Sequence, residues 1–305
     1  MEPVNLMKLD GKKLKEFLNS FDYVFSDCDG VLWTTAPLPG VGKFFELIKG
    51  FGKKVHFVSN NSIRTKENYD SNFQDAGIKD GINNLTIPST AIAEYLKSVN
   101  FNKAVYCVTC PETVAVLESN GFKCKEGPEI GTHYYGDYIK YLADDEEIGA
   151  VVFDSDFKVN LPKMYKALTY LKRPEVLFIN GATDRYVTLE KESLALGTGV
   201  FSEIVSQESK RTPILLGKPG LAFGEFAMKR AGVTDASRVL FIGDMIEQDV
   251  GLGRAVGFQT MLVLTNKTKE EMLSHPTLKP DYYADSLGSL VPVLSKVLNN
   301  YVNEI

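Results

Sequence analysis

The chain is poor in histidine and tryptophan, has few cysteines, and carries no excess of positive charge. Three histidines in 305 residues leave little for a His-built metal site or a histidine-driven nucleophile. His56, His133 and His275 lie far apart in sequence, the first in an apolar run and the last before a proline. Lysine and arginine number 34 against 39 acidic residues, a net charge of −5, which argues against a nucleic-acid or anionic-membrane partner. No apolar run approaches the roughly 18 residues of a membrane-spanning helix. The opening Met1-Glu-Pro-Val-Asn-Leu-Met lacks a basic flank followed by an apolar stretch, so a secretory leader is not expected. The sequons at Asn60, Asn84 and Asn266 then carry no weight. Of Cys28, Cys107, Cys110 and Cys124, the Cys107-x-x-Cys110 pair has no second pair to complete a zinc site. Four reduced thiols in a cytoplasmic protein are the expectation.

What is present is an ordinary globular composition, 44% apolar and 11% aromatic, sized for one large domain or two modest ones. Short apolar runs alternate with helical patterns. Tyr23–Ser26, Lys54–Val58, Arg238–Ile242 and Thr260–Val263 read as strands, with helices after Val41 and Arg64, over Leu221–Arg230 and Gln248–Val256, and near Ser289–Leu298. A second alternation fills about 84–207. There Ala104–Val108, Ala150–Asp154 and Val176–Ile179 read as strands, and Thr113–Ser119, Leu161–Leu171 and a stretch near Phe201–Ser206 as helices. In the first alternation, apolar strands between helices indicate a parallel sheet covered on both faces, and the second, an insertion returning to finish that sheet, reads as a cap domain.

Four clusters of chemically capable residues follow apolar strand-like runs, which in an open α/β sheet places them at the carboxyl edge where ligands bind. The first is Phe25-Ser-Asp-Cys-Asp-Gly-Val-Leu-Trp33, with Asp27 and Asp29 two positions apart. On extended backbone both carboxylates face one point, and two anions that close call for a cation or a proton. They read as a nucleophile with an acid/base partner at a metal site. Cys28 between them is expected to point into the core, and its oxidation would bear on the site. The second cluster is Ser59-Asn60-Asn61 after Val55–Val58, suited to phosphate oxygens through side chains and backbone N–H groups. The third is Gly217-Lys218-Pro219 after Ile214–Leu216. The fourth is Gly243-Asp244 with Asp249 five residues on. Asp and Gly also favour turns, Ser and Asn cap helices, and a lone lysine is usually solvated, so each cluster alone is weak.

Taken in order, the four resemble the motifs of the haloacid dehalogenase-like phosphatases, in the branch of phosphoglycolate, pyridoxal-phosphate and 4-nitrophenyl phosphatases. The resemblance runs from about Asp22 to the C-terminus. It implies a Rossmann-like parallel-sheet core (1–83 and 208–305) with an inserted α/β cap domain (84–207). It implies Asp27 as nucleophile, Asp29 as acid and base, and Ser59 and Lys218 as catalytic groups on the phosphoryl oxygens. Asp27, Asp29 (through its backbone carbonyl), Asp244 and Asp249 would bind Mg²⁺, since hard oxygen donors suit that ion. Asn60 and Asn61 would contact substrate, as would Asp184, Arg185 and Tyr186 of the cap loop Asn180-Gly-Ala-Thr-Asp-Arg-Tyr186. The partner is a small phosphorylated metabolite, and a homodimer through the cap is the habit of capped relatives.

An aspartate at position 29 favours hydrolysis; dehalogenase relatives lack an acid there and P-type ATPase relatives carry threonine. Two departures from the family pattern stand out. Met245 and Gln248 occupy places where relatives often carry arginine and threonine. Arg185-Tyr186-Val187 stands where pyridoxal-phosphate phosphatases have Trp-His-Pro, which disfavours a pyridoxal-specific pocket. Gly197-Thr-Gly199 resembles the cap's return to the core and is expected to form a backbone turn. Three other readings remain open. A protein phosphatase is disfavoured by a large cap. A non-catalytic binding protein is disfavoured by the presence of all four key residues. A phosphotransferase shares the same aspartyl-phosphate.

Overall fold

The computed structural model describes residues 2–129, 135–190 and 193–302. His133 lies outside the described residues. The chain divides into two compact units: Met1–Ser59 with Lys66–Thr86 and Gly224–Ile305, and Asn60–Thr65 with Ile87–Phe223.

The first unit is built on a seven-stranded sheet in which every pairing is parallel. Its order is Val4–Asn5, Tyr282–Ala284, Gln259–Val263, Val239–Gly243, Tyr23–Ser26, Lys54–Val58 and Leu85–Thr86. The central strands are apolar on both faces, as a parallel sheet with helices on either side requires. Phe25 and Phe241 are registered side by side, and both rings pack near Phe258 at 5.6 and 6.2 Å. Burying a Phe of this kind is worth roughly 2–3 kcal/mol. Helices Val41–Gly50 and Leu287–Val302 pack on one another in this unit.

The second unit holds a five-stranded sheet, again wholly parallel, in the order Ile214–Leu215, Leu177–Asn180, Ile148–Asp154, Ala104–Thr109 and Cys124–Glu126. Tyr106, Val108, Phe153, Phe178, Tyr170 and Val205 are central to its core. Tyr186–Glu190 and Ser193–Leu196 form an antiparallel pair in the cap loop, where the sequence analysis assigns no strand.

The strand leading to Lys218 departs from expectation. With the other clusters it is expected in the first sheet, but Ile214 and Leu215 pair with Ile179 and Asn180 in the second. The run is only two residues of strand, and its apolar character does not say which sheet it joins. Gln248–Val256, expected to be helical throughout, splits into a π-helical turn, Ile246–Val250, and an α-helix, Gly251–Val256. No described helix is long and apolar enough to cross a membrane. All four cysteines are free. Burial lifts the Cys110 thiol to about 11, which keeps it protonated at neutral pH.

Candidate active site

In the first unit, three of the predicted residues converge. Asp27 follows the strand Tyr23–Ser26, and Asp244 follows the neighbouring strand Val239–Gly243. The two strands run parallel in adjacent positions, so their ends deliver both carboxylates to one place. Asp27 N–H donates to the Ile242 carbonyl at 2.8 Å, which carries the pairing one residue past the strand. Asp249 comes back from the π-turn, and its Oδ2 accepts the N–H groups of Asp244 and Met245 at 3.0 and 2.9 Å. One oxygen from each of Asp27, Asp244 and Asp249 lies within 4.8 Å of the others. These residues are 6%, 1% and 1% exposed.

Three carboxylates at this spacing and depth repel strongly unless a cation joins them. The donor set is oxygen only, without imidazole or thiolate, and so fits Mg²⁺. Space around it is closed by glycine. Gly30, at φ +79°, has no room for a Cβ beside the Asp244 carboxylate, and Gly243 has none beside Asp249. Cys28 N–H donates to Asp27 Oδ1 at 2.7 Å, fixing the plane of that carboxylate, while the Cys28 side chain is fully buried as expected.

Asp29 is placed differently from the expectation that alternation would aim it with Asp27. The strand ends at Ser26, and a turn follows in which Leu32 N–H donates to the Cys28 carbonyl. The Asp29 carboxylate accepts from the indole N–H of Trp33 at 3.1 Å and is not part of the three-carboxylate cluster. Ser59 is 1% exposed, and its Oγ accepts from the Tyr69 hydroxyl at 3.0 Å. Two further groups went unread in sequence. Asn266 donates its amide to Asp244 Oδ2 at 2.6 Å, and the Thr265 hydroxyl donates to the Gly30 carbonyl at 2.5 Å. Both follow the strand Gln259–Val263, so the rule that found the other clusters applied to them as well. Of the two departures from the family pattern, Met245 contributes its backbone N–H to Asp249, and the Gln248 carboxamide oxygen is buried without a hydrogen-bond partner among the described residues.

In the second unit, Asn60, Asp184 and Lys218 come together. The Asn60 carboxamide accepts Lys218 N–H at 2.7 Å and donates to the Lys218 carbonyl at 3.1 Å and to Asp184 Oδ2 at 3.0 Å. The Thr183 hydroxyl donates to the same carbonyl at 2.9 Å. Lys218 is 2% exposed, far from the solvated lysine that its type suggests. Asn61 turns inward on its own loop, its Oδ1 accepting from the N–H groups of Ile63 and Arg64. Arg185 and Tyr186 do not join this group. Arg185 is exposed and ion-paired with Glu203, and Tyr186 is 55% exposed. Gly197 and Gly199 let the backbone approach the carbonyls of Asp184 and Thr183 more closely than any Cβ allows.

Comparison with known proteins gives the family. The haloacid dehalogenase-like hydrolase family matches residues 24–123, and an HAD-hydrolase-like family matches 215–290. Phosphoglycolate phosphatase 2 of Arabidopsis thaliana is 31% identical over 296 residues, spanning 94% of this chain and 97% of its own. Glycerol-3-phosphate phosphatase of Homo sapiens is 27% identical over 309 residues, spanning 94% and 95%. The p-nitrophenyl phosphatase structure from Archaeoglobus fulgidus superimposes with a TM-score of 0.75 at 27% identity, covering 90% of this chain and 99% of that one. The chain therefore belongs to the haloacid dehalogenase-like hydrolases, in their phosphoglycolate, 4-nitrophenyl and glycerol-3-phosphate phosphatase branch, and is a phosphoric monoester hydrolase.

Proposed function

We propose that the chain hydrolyses small phosphomonoesters, of the phosphoglycolate or glycerol phosphate kind, through a phosphoenzyme formed on Asp27 in a Mg²⁺-dependent reaction. The observation that carries this reading is the buried cluster of Asp27, Asp244 and Asp249. When bound by these residues, Mg²⁺ supplies charge neutralisation for the nucleophile and the phosphoryl oxygens.

An Asp27 carboxylate oxygen attacks phosphorus while the ester P–O bond breaks, and Asp29 gives its proton to the departing alkoxide oxygen. Water then attacks the same phosphorus and yields its proton to Asp29, releasing inorganic phosphate and the Asp27 carboxylate. The Cys28 N–H steadies Asp27 and the Trp33 indole steadies Asp29 through both steps. Ser59, Asn60 and Lys218 are assigned by their motifs to the phosphoryl oxygens, with Lys218 offsetting charge. Asn61 and the exposed Arg185 and Tyr186 are left with weaker claims on substrate than Asp184. Phosphoglycolate and glycerol phosphates are named because relatives bearing those activities match along nearly their whole length. Cytoplasmic residence, supported by the four free cysteines, and a homodimer through 84–207 complete the proposal.

The test is phosphate release from a panel of metabolite phosphomonoesters and 4-nitrophenyl phosphate, with and without Mg²⁺, for wild type beside Asp27→Asn. Hydrolysis is expected only with Mg²⁺, and the substitution is expected to remove about 10³-fold or more. Folded wild type that releases no phosphate from any of these compounds sinks the proposal.

A further inference from the structure

Asp154 ends the strand Ile148–Asp154 in the second unit, and nothing in the four motifs points to it. Its side chain is fully buried, yet donors from four places converge on it. Ala182 N–H and the Ser155 hydroxyl donate to Oδ1 at 3.0 and 3.3 Å, and the Thr113 hydroxyl donates to Oδ2 at 2.9 Å. The Ser62 hydroxyl is also bonded to this carboxylate, and the same oxygen accepts Ser89 N–H at 3.3 Å. A carboxylate in an apolar interior is costly unless its oxygens are bonded, so this set of donors is part of its cost being met.

The donors are informative by position. Ser62 lies two residues after Asn60, and Ala182 two residues before Asp184. Gly181 has no Cβ, and one placed there would run into the Asp154 carboxylate; a Cβ on Gly217 would strike the Gly181 carbonyl. Ser155, immediately after Asp154, holds the left-handed region at φ +49°, a conformation that a serine keeps only when its surroundings enforce it. The loop carrying Asp184 is thus pinned at Ala182 by the buried Asp154 carboxyl, with Asn60 and Lys218 bonded to its far end.

We infer that Asp154 is a positioning residue that fixes loop 180–184 and segment 60–65, and through them holds Asp184, Asn60 and Lys218 in place for substrate. The inference deepens the phosphatase reading and rests on it for the word substrate. Burial also pushes the Asp154 carboxyl above its ordinary range while the bonded donors pull it back, as expected of a group held for its contacts.

The experiment compares full-length wild type, Asp154→Ala, Asp154→Asn and Ser62→Ala by hydrogen exchange and by kinetics with Mg²⁺ on phosphoglycolate and 4-nitrophenyl phosphate. Asparagine keeps an acceptor for Ala182 and offers an amide to Thr113, whose hydroxyl can accept, so it is expected to stay within about threefold of wild type. Asp154→Ala is expected to speed exchange at 180–186 and 60–65 while sparing the strand Ala104–Thr109. It is expected to cut kcat/KM for phosphoglycolate about tenfold more than for 4-nitrophenyl phosphate, because a loop that has drifted misplaces the part of the substrate it reads. Ser62→Ala is expected to show the same pattern more weakly. Exchange that rises equally throughout the second unit, or does not rise at 180–186, overturns the inference, as does an unchanged ratio between the two substrates. Should wild type hydrolyse neither compound, the phosphatase reading fails by itself and the exchange data alone decide the role of Asp154.

Discussion

Trp33 reaches Asp29 with its indole N–H and packs its ring 5.2 Å from that of Phe73. Replacing it with phenylalanine keeps most of the packing and removes the one donor. A hydrogen bond to a charged partner is worth about 2 kcal/mol, so Trp33→Phe is expected to slow hydrolysis of alkyl phosphates by roughly thirtyfold. 4-Nitrophenolate leaves with little help from an acid, so 4-nitrophenyl phosphate is expected to suffer much less. Measuring kcat for both compounds decides the matter, since equal losses mean that the indole acts by packing alone. Asn266 holds Asp244 from outside the carboxylate cluster. Groups in that relation to a metal ligand typically contribute ten- to a hundredfold in affinity, so Asn266→Ala is expected to raise the Mg²⁺ concentration for half-maximal activity by roughly that factor. An unchanged Mg²⁺ requirement counts against a metal at Asp244.

The π-helical turn Ile246–Val250 is the element that returns Asp249 to Asp244. Its geometry rests on one carboxylate oxygen accepting two backbone N–H groups at the start of the turn. Asp249→Asn keeps an oxygen for both and loses the charge; Asp249→Ala loses both functions. The asparagine variant is expected to melt near the wild type without Mg²⁺ but to gain less from adding it, while alanine is expected to lose about 2 kcal/mol in either condition. Thermal melts with and without Mg²⁺ separate the two, and equal melting of both variants means that the carboxylate does not organise the turn. Regular elements such as Tyr23–Ser26, Lys54–Val58 and Leu161–Leu171 are legible from apolar pattern alone. The helix Gly11–Asn19 was not assigned, although Leu14, Phe17 and Leu18 follow Asp10 with helical spacing and Asp10 caps it at Lys13 N–H. The π-turn and the paired strands of the cap loop were not legible, because neither has a distinctive hydrophobic period.

For the molecule as a whole, His56 links pH to stability. It sits in the strand Lys54–Val58, next to the edge strand of the first sheet, bonded to Thr86 at 2.8 Å, with its ring 5.2 Å from that of Phe25. Burial, assisted by the charge of Arg230, lowers its pKa from 6.5 to about 4. Below 6.5 the unfolded chain takes up a proton that the folded chain refuses until about 4. Stability is therefore complete above 6.5 and drains as pH falls toward 4, by about 3 kcal/mol from this one side chain. Urea midpoints of wild type and His56→Gln between pH 7 and 4 are expected to show the variant with the flatter dependence. Parallel curves rule out His56 as the source.

The sequence by itself determined the reaction class and the meeting of Asp27 with Asp244, because each lies directly after an apolar strand and a parallel sheet aligns strand ends. It also determined that the first sheet is parallel, since apolar runs alternate with helical ones there. Only the tertiary structure decided that the strand before Lys218 joins the second sheet, that the turn after Ser26 hands Asp29 to Trp33, and that Arg185 pairs with Glu203. It also decided that Asp154, an unremarkable strand end in sequence, gathers donors from Ser62, Thr113 and Ala182. The difference is one of range. Hydrophobic period and local turn chemistry are written within a dozen residues, whereas a hydrogen bond between residues 28 or 158 positions apart depends on how the intervening chain packs.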